Sequence, residues 1–233
     1  MKKFLLFNLG GLSNALGFLL LLLISSCNKK FPDQVSSVCL VEKRPCLTGK
    51  AVVAIATNRG TIYFEINGDA APVTAGNFVD LINKGVYENT VFHRVIRIPS
   101  PFVIAGGDPL SKDPNTPEID YGNGNFIDPK NGEVRFIPLE IKLKTEESPR
   151  YNQLINSTKQ LSELVLTHQR GALAMARAQT LSSGSSQFYI ALKALPQLDG
   201  RYSVFGKIVE GFDTLDKLIE GDFILKTNLI QDH

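Results

Sequence analysis

Tryptophan is absent from this chain of 233 residues, methionine occurs twice, and histidine and cysteine three times each. Those scarcities exclude a good deal. With His93, His168 and His233 as the only imidazoles, there is little from which to build a histidine-based metal or acid-base site. No His-Glu-x-x-His, Gly-x-Ser-x-Gly or phosphate-loop motif occurs. A hydrolase is therefore disfavoured. Cys39 and Cys46, with no neighbouring histidine or third cysteine, do not make a zinc site, so neither a metal nor a cofactor is expected. Excess charge is missing too. The formal net charge is +2, and Lys2 and Lys3 at the extreme N-terminus account for it. A nucleic-acid partner would need clustered lysine and arginine and is not expected.

The one long apolar run stands at the start. Lys2 and Lys3 precede an apolar stretch from Leu16 to Ile24 that ends Ile24-Ser25-Ser26-Cys27. The pattern resembles a bacterial lipoprotein signal, in which residues 1–26 are removed and Cys27 becomes the lipidated first residue. An uncleaved membrane anchor is the competing reading, because Phe4 to Ile24 is just long enough to span a bilayer. Asn8, Gly10, Gly11, Ser13 and Asn14 weaken its first half. The lipoprotein reading makes the chain lipid-anchored and extracytoplasmic (periplasmic) in a bacterial envelope, with Asn28 favouring the outer over the inner membrane. Residues 27–49 then form a flexible tether, in which Cys39 and Cys46 either close a disulfide loop or stay free thiols.

Residues 50–221 read as the folded domain. Ala51–Ala56 and Thr61–Ile66 are β-rich runs around an Asn58-Arg59-Gly60 turn. Helical spacing is expected over 72–83, with Thr74 as cap and Phe78, Leu81 and Ile82 buried. Thr90 to Ile96 alternates as a strand, which sets Arg94 beside Phe92 and Ile96 and turns His93 to the other face as a structural residue. Residues 109–133 read as a long loop whose acidic and asparagine residues suit turns better than calcium. Residues 152–166 have near-helical spacing and read as a helix, so that an insertion covers about 109–169. Strands follow at 171–176, 186–192 and 203–209, then a second helix over 212–219 with Leu215, Leu218 and Ile219 buried. Residues 222–233 form a tail. The expected class is mainly β: a closed antiparallel barrel capped by two helices, with a long loop and helix insertion.

Arg94 has two readings on its own: a donor fork among apolar neighbours, or a side chain reaching out to a surface carboxylate. Motifs in order add to this. FHRVI at 92–96, GGD at 106–108, Gly-x-Leu-x-Met-Ala-Arg at 171–177, SSQFYI at 185–190 and LDG-x-x-x-VFG at 198–206 resemble the cyclophilin family of peptidyl-prolyl cis-trans isomerases, in its bacterial branch. The resemblance implies an eight-stranded cyclophilin-like barrel, a monomer, and an isomerase of proline-containing client segments that uses no cofactor. It makes Phe136–Ile141 the strand that precedes a long loop, and Arg94 the catalytic residue. Phe102, Val103, Tyr189 and Leu198 would wall the proline pocket, with Met175 beneath. Ala176, Arg177 and Gln187 would line the peptide groove, and Tyr202 matches a position that is His or Tyr in relatives. Three departures stand out: Arg97-Ile98-Pro99 looks inserted, Ala105 replaces a usual glutamine, and Gln197 replaces the tryptophan of cyclosporin-sensitive members. The expected function is X-Pro isomerisation in the folding of exported or envelope proteins. The alternatives are a proline-peptide binding module of little or no turnover, and an envelope scaffold acting through the insertion.

Overall fold

The computed structural model describes Cys39 and residues 44–232. The expected signal segment and Cys27, the expected lipidation site, lie outside the described residues. The chain enters with β1 (Lys50–Thr57) and β2 (Gly60–Asn67), a hairpin closed where the Thr57 hydroxyl donates to the Gly60 carbonyl at 2.8 Å. In β2 the alternation is clean: Ile62, Phe64 and Ile66 are buried, while Thr61, Tyr63 and Glu65 face outward.

Further strands are β3 (Arg94–Val95), β4 (Val103–Gly106), β9 (Ala172–Met175), β10 (Phe188–Ala191), β11 (Val204–Glu210) and β12 (Ile224–Asp232). With β1 and β2 they make one eight-stranded antiparallel sheet, ordered β12-β1-β2-β11-β9-β10-β4-β3. The sheet is curled into a half-barrel rather than a fully laddered barrel. Its two ends meet at the isolated Val91–Phe223 bridge, flanked by Phe92 N to Asp222 O at 2.7 Å and Ile224 N to Thr90 O at 2.9 Å. Because β3 is only two residues long, no continuous ladder joins it to β12. The segment from 222 onward, set apart above as a tail, supplies β12 and pairs with β1 along that strand's length.

Helix α1 (Pro72–Asn83) runs where its spacing predicts and buries Phe78 against Tyr87, Phe188 and Phe205, with ring centroids 5.0–5.5 Å apart. Thr74 does not cap it. The N-cap position is Ala71, and the free amides of Val73 and Thr74 donate instead to the buried carboxylate of Glu140, at 3.2 and 2.8 Å. The second cover is shorter than expected: a helix over Phe212–Lys217, with Leu215 and Leu218 buried but Ile219 54% exposed.

The insertion is more ordered than a loop and less helical than its spacing suggests. Two 3-10 turns (Pro109–Lys112 and Glu118–Asp120) lead to a hairpin of β5 (Ile127–Asp128) and β6 (Glu133–Val134), and β7 (Glu140–Ile141) then pairs with β8 (Arg150–Tyr151). Of the helix expected over 152–166 only one turn forms, α2 (Thr158–Leu161). Leu143 and Leu164 bridge as extended chain, and Ile155 and Leu164 join Leu139, Ile141 and Leu143 in a separate small core. Ile155 and Leu164 are buried by chain from residues 139–143, while Leu154 is exposed, so the apolar spacing there does not mark one face of a helix.

Cys39 and Cys46 are bonded as a disulfide. Residues 44–49, expected to be flexible tether, lie against α1. Leu47 is buried and its amide donates to the Pro72 carbonyl at 3.0 Å. A Cβ on Gly76 of α1 would stand 2.3 Å from the Cys46 Cα, so only glycine lets this segment lie there.

Candidate active site

The sheet register sets up the site. Arg94 pairs with Ala105, Ala105 with Tyr189, Tyr189 with Ala174, and Ala174 with Val204, so one row of side chains crosses five strands. That row lies on the face away from the main core, where Val103, Tyr189 and Val204 form a second apolar cluster joined by Phe102, Leu198 and Tyr202. Over it is an open hollow of about 340 Å³. Arg94, Phe102, Val103, Ala176, Arg177, Gln187, Tyr189, Leu198 and Tyr202, all singled out from the sequence, line it together. Met175 does not. It points the other way from Ala174 and is buried in the main core, as alternation along β9 requires.

The Arg94 side chain is exposed and makes no hydrogen bond or ion pair among the described residues. The reading of Arg94 as a partner for a surface carboxylate therefore finds no partner. His93 lines the same hollow, contrary to its expected place on the opposite face. The regular strand begins only at Arg94, so the alternation that would turn His93 away does not reach it. Burial holds the His93 imidazole below the usual histidine range, with Asp108 pulling the other way.

Three features escaped the sequence reading. Tyr189 rests on a buried relay: its hydroxyl is 2.9 Å from His168 Nε2, and His168 Nδ1 is 2.7 Å from an Asp199 carboxylate oxygen. Burial pushes the His168 pKa down more than Asp199 raises it, so the ring is neutral at pH 7. Its proton then sits on Nδ1 toward Asp199, and Nε2 accepts from the tyrosine. From Tyr189 the packing continues outward, edge-on to Tyr202 at 5.7 Å, and Tyr202 carries the Arg177 guanidinium 4.8 Å above its ring.

The second is the wall that the insertion contributes. Gln187 donates to the carbonyls of Gly122 and Gly124, at 3.0 and 2.7 Å, while the buried Asp108 carboxylate accepts from the amides of Leu110, Gly122 and Gly124. These bonds fold Tyr121 and Gly122 over the hollow. A Cβ on Gly124 would fall 2.0 Å from an Asp108 oxygen. Both acids, Asp108 in GGD and Asp199 in LDG, lie in motifs already visible in the sequence, and that was the available signal.

The third is the anchoring of the inserted turn. Arg97 donates to the carbonyls of Leu215 and Leu218, at 2.8 and 3.1 Å, at the end of the 212–217 helix, where the Leu215 carbonyl also accepts from the Leu218 amide. The turn is thereby fastened, with Ile98 at its tip 87% exposed.

Residues 52–231 match the profile of a family described as cyclophilin type peptidyl-prolyl cis-trans isomerase/CLD. The chain belongs to the cyclophilin family. A Synechocystis protein provisionally named as a thylakoid lumen peptidyl-prolyl cis-trans isomerase is 37% identical over 226 residues, covering 93% of this chain and 55% of that protein. The chain thus spans about half the length of that relative. A peptidyl-prolyl cis-trans isomerase of Helicobacter pylori is 34% identical over 76% of this chain and 86% of its own length. A crystal structure of a Cryptosporidium parvum cyclophilin superposes with a TM-score of 0.56 at 28% identity, covering 79% of this chain and 99% of that one. The same cyclophilin was also crystallised in the presence of the dipeptide Ala-Pro. Among the described residues of this cyclophilin no group of side chains could hold a metal ion, and no helix is long and apolar enough to cross a membrane.

Proposed function

We propose that this cyclophilin is a peptidyl-prolyl cis-trans isomerase, with Arg94 as its catalytic residue and the adjoining hollow as the proline seat. The observation that carries the reading is an arginine with no internal partner at the lip of a hollow walled by Phe102, Tyr189 and Leu198. The Cryptosporidium relative, crystallised with Ala-Pro, supports a proline-bearing ligand.

Rotation about an X-Pro bond faces a barrier of roughly 20 kcal/mol, because the amide nitrogen shares its lone pair with the carbonyl. A guanidinium that donates to the prolyl nitrogen favours the twisted form, in which that lone pair is localised, over either planar form. Apolar walls hold the ring meanwhile. No nucleophile, metal or cofactor is called for. A thousandfold acceleration needs only about 4 kcal/mol of preferential stabilisation.

A second reading, a proline-peptide binding module of little turnover, is favoured by Ala105, a methyl where a polar partner to the arginine is usual. Two-dimensional exchange NMR on an Ala-Pro peptide separates the two. Fast cis-trans exchange with wild type and none with Arg94→Ala supports the isomerase; binding with exchange left at the uncatalysed rate supports the module.

The site of action proposed is the bacterial envelope, with the domain extracytoplasmic on a lipid at Cys27 and exported proteins as clients. The support is Lys2, Lys3, the apolar run and Ser25-Ser26-Cys27. Palmitate labelling in cells tests it: label lost in Cys27→Ala is expected, and no label on wild type would refute the anchor.

A further inference from the structure

A peptide seated in the Arg94 hollow brings backbone carbonyls that need donors, and most of the polar side chains around the hollow are already spent within the protein. Gln187 gives its amide hydrogens to the Gly122 and Gly124 carbonyls, and the Tyr189 hydroxyl pairs with His168. Arg177 donates to the carbonyls of Arg201, Ala178 and Gln179. Gly122 lies against the Nε2 edge of His93, since a Cβ there would stand 3.3 Å from Cδ2 and Nε2. Opposite Arg94, on β4, is only the methyl group of Ala105. The donors left for a ligand are the Arg94 guanidinium and the hydroxyls of Tyr121 and Tyr202, none of which bonds to another described residue.

The two hydroxyls enter from opposite ends. Arg94 starts the row that crosses the sheet to Val204, and Tyr202 belongs to the far end of it, edge-on to Tyr189 with Arg177 over its ring. Tyr121 comes in from the Arg94 end, because the next residue, Gly122, rests on His93, which precedes Arg94.

Tyr121 is held there by its own chain. Its amide donates to the Glu118 carbonyl at 3.1 Å, closing the second 3-10 turn. The Gly122 amide donates to Asp108 at 2.5 Å, and the Gly122 carbonyl accepts from Gln187 at 3.0 Å. Gly122 has φ +93°, a backbone that glycine adopts without strain. The ring is thus placed over the hollow before any peptide arrives, so little ordering remains to oppose a bond from its hydroxyl.

We infer that Tyr121 is a substrate-binding residue of the isomerase, its hydroxyl donating to a backbone carbonyl that flanks the X-Pro bond. The inference rests on the isomerase reading above. The carbonyl of the X-Pro bond itself swings as that bond turns, and a donor on a pinned loop cannot follow it. A flanking carbonyl stays where it is held. A bond to it is equally good in the planar and twisted forms, so it tightens binding and leaves turnover alone. The insertion thereby grips the peptide backbone while the apolar walls grip the ring.

The test compares the full chain with its Tyr121→Phe variant. Both are titrated by NMR with an Ala-Pro peptide and with two analogues in which the carbonyl oxygen just before or just after the X-Pro amide is sulfur, a weaker acceptor. Exchange at saturating peptide is measured alongside. Tyr121→Phe binds the parent peptide about fivefold more weakly, the loss of one hydrogen bond, while exchange at saturation stays within twofold of wild type. One analogue binds wild type several-fold more weakly than the parent does, and the variant binds that analogue and the parent alike. Equal affinity of the two proteins for the parent overturns the inference, as does a fall in exchange at saturation with affinity unchanged. A sulfur penalty that persists in the variant overturns it too, because the substitution would then have disturbed the loop and not removed a donor. Wild type that binds the peptide and leaves its exchange at the uncatalysed rate counts against the isomerase instead, because the hydroxyl is read by affinity and not by turnover.

Discussion

Arg94 and Ala105 stand directly opposite each other across the β3–β4 ladder, so the residue beside the free guanidinium is a methyl group. Nothing on the partner strand orients the arginine. We expect Ala105→Gln to raise kcat/KM for an Ala-Pro peptide about fivefold, the worth of one hydrogen bond of about 1 kcal/mol. The gain should disappear in the Arg94→Ala background. Exchange NMR on the four proteins of that cycle checks it; an equal gain without Arg94 would show that the glutamine acts on the peptide alone.

Tyr189, His168 and Asp199 give the pocket wall a measurable pH dependence. The His168 pKa is lowered chiefly by burial, so between its folded value and the ordinary value of about 6.5 the unfolded chain binds a proton that the folded one refuses. Stability is therefore complete above about pH 6.5 and falls as the pH drops through that window. His93, lowered for the same reason, adds to it. Thermal melts from pH 8 to 5 should show the fall, and His168→Gln should make it shallower. Tyr189→Phe leaves a buried imidazole nitrogen unpaired and should cost about 1–2 kcal/mol at pH 7.

Asp222 pins the turn between β1 and β2 to the start of β12. It accepts from Asn58 at 2.7 Å, from Arg59 at 2.9 Å and from the Ile219 amide at 2.8 Å. Burial raises its pKa, but those donors together outweigh burial and leave it below the usual aspartate range. The stability it contributes is thus present above the ordinary value near 4 and is lost as the pH falls through the lower folded value. Asp222→Ala should cost about 2–3 kcal/mol in urea unfolding at pH 7 and flatten the acid limb below pH 4.

Cyclosporin should bind poorly. Gln197 is exposed on the turn before Leu198 and is not part of the hollow's wall, so no indole is there to cover a bulky apolar macrocycle. Calorimetry should give a dissociation constant weaker than micromolar; a nanomolar value would refute this.

Much of the fold was legible where a pattern is local. Ile62, Phe64 and Ile66 alternate because a strand turns every second side chain inward, and Phe78 repeats with Leu81 and Ile82 because a helix brings such positions to one face. Leucines 154, 161 and 164 misled for the same reason. Their spacing suits a helix, yet only one helical turn forms there; Leu161 and Leu164 pack with the small core built by Leu139, Ile141 and Leu143, while Leu154 is exposed. The tail misled in the opposite sense: Ile224 to Ile230 becomes a strand because β1 has an open edge to pair with.

The sequence alone determined the cyclophilin motifs and, through them, most of the side chains around the hollow, though not Met175, which packs in the main core. Motif order and residue type are local properties that survive without coordinates. Only the tertiary structure decided that His93 faces the site, that Asp108 folds Tyr121 and Gly122 over it, and that His168 and Asp199 support Tyr189 from beneath. It alone placed Arg44 beside Phe136, 92 residues apart in the chain. These are hydrogen bonds between distant segments, set by which backbone groups remain unpaired once the sheet has curled, and no window of sequence contains both partners.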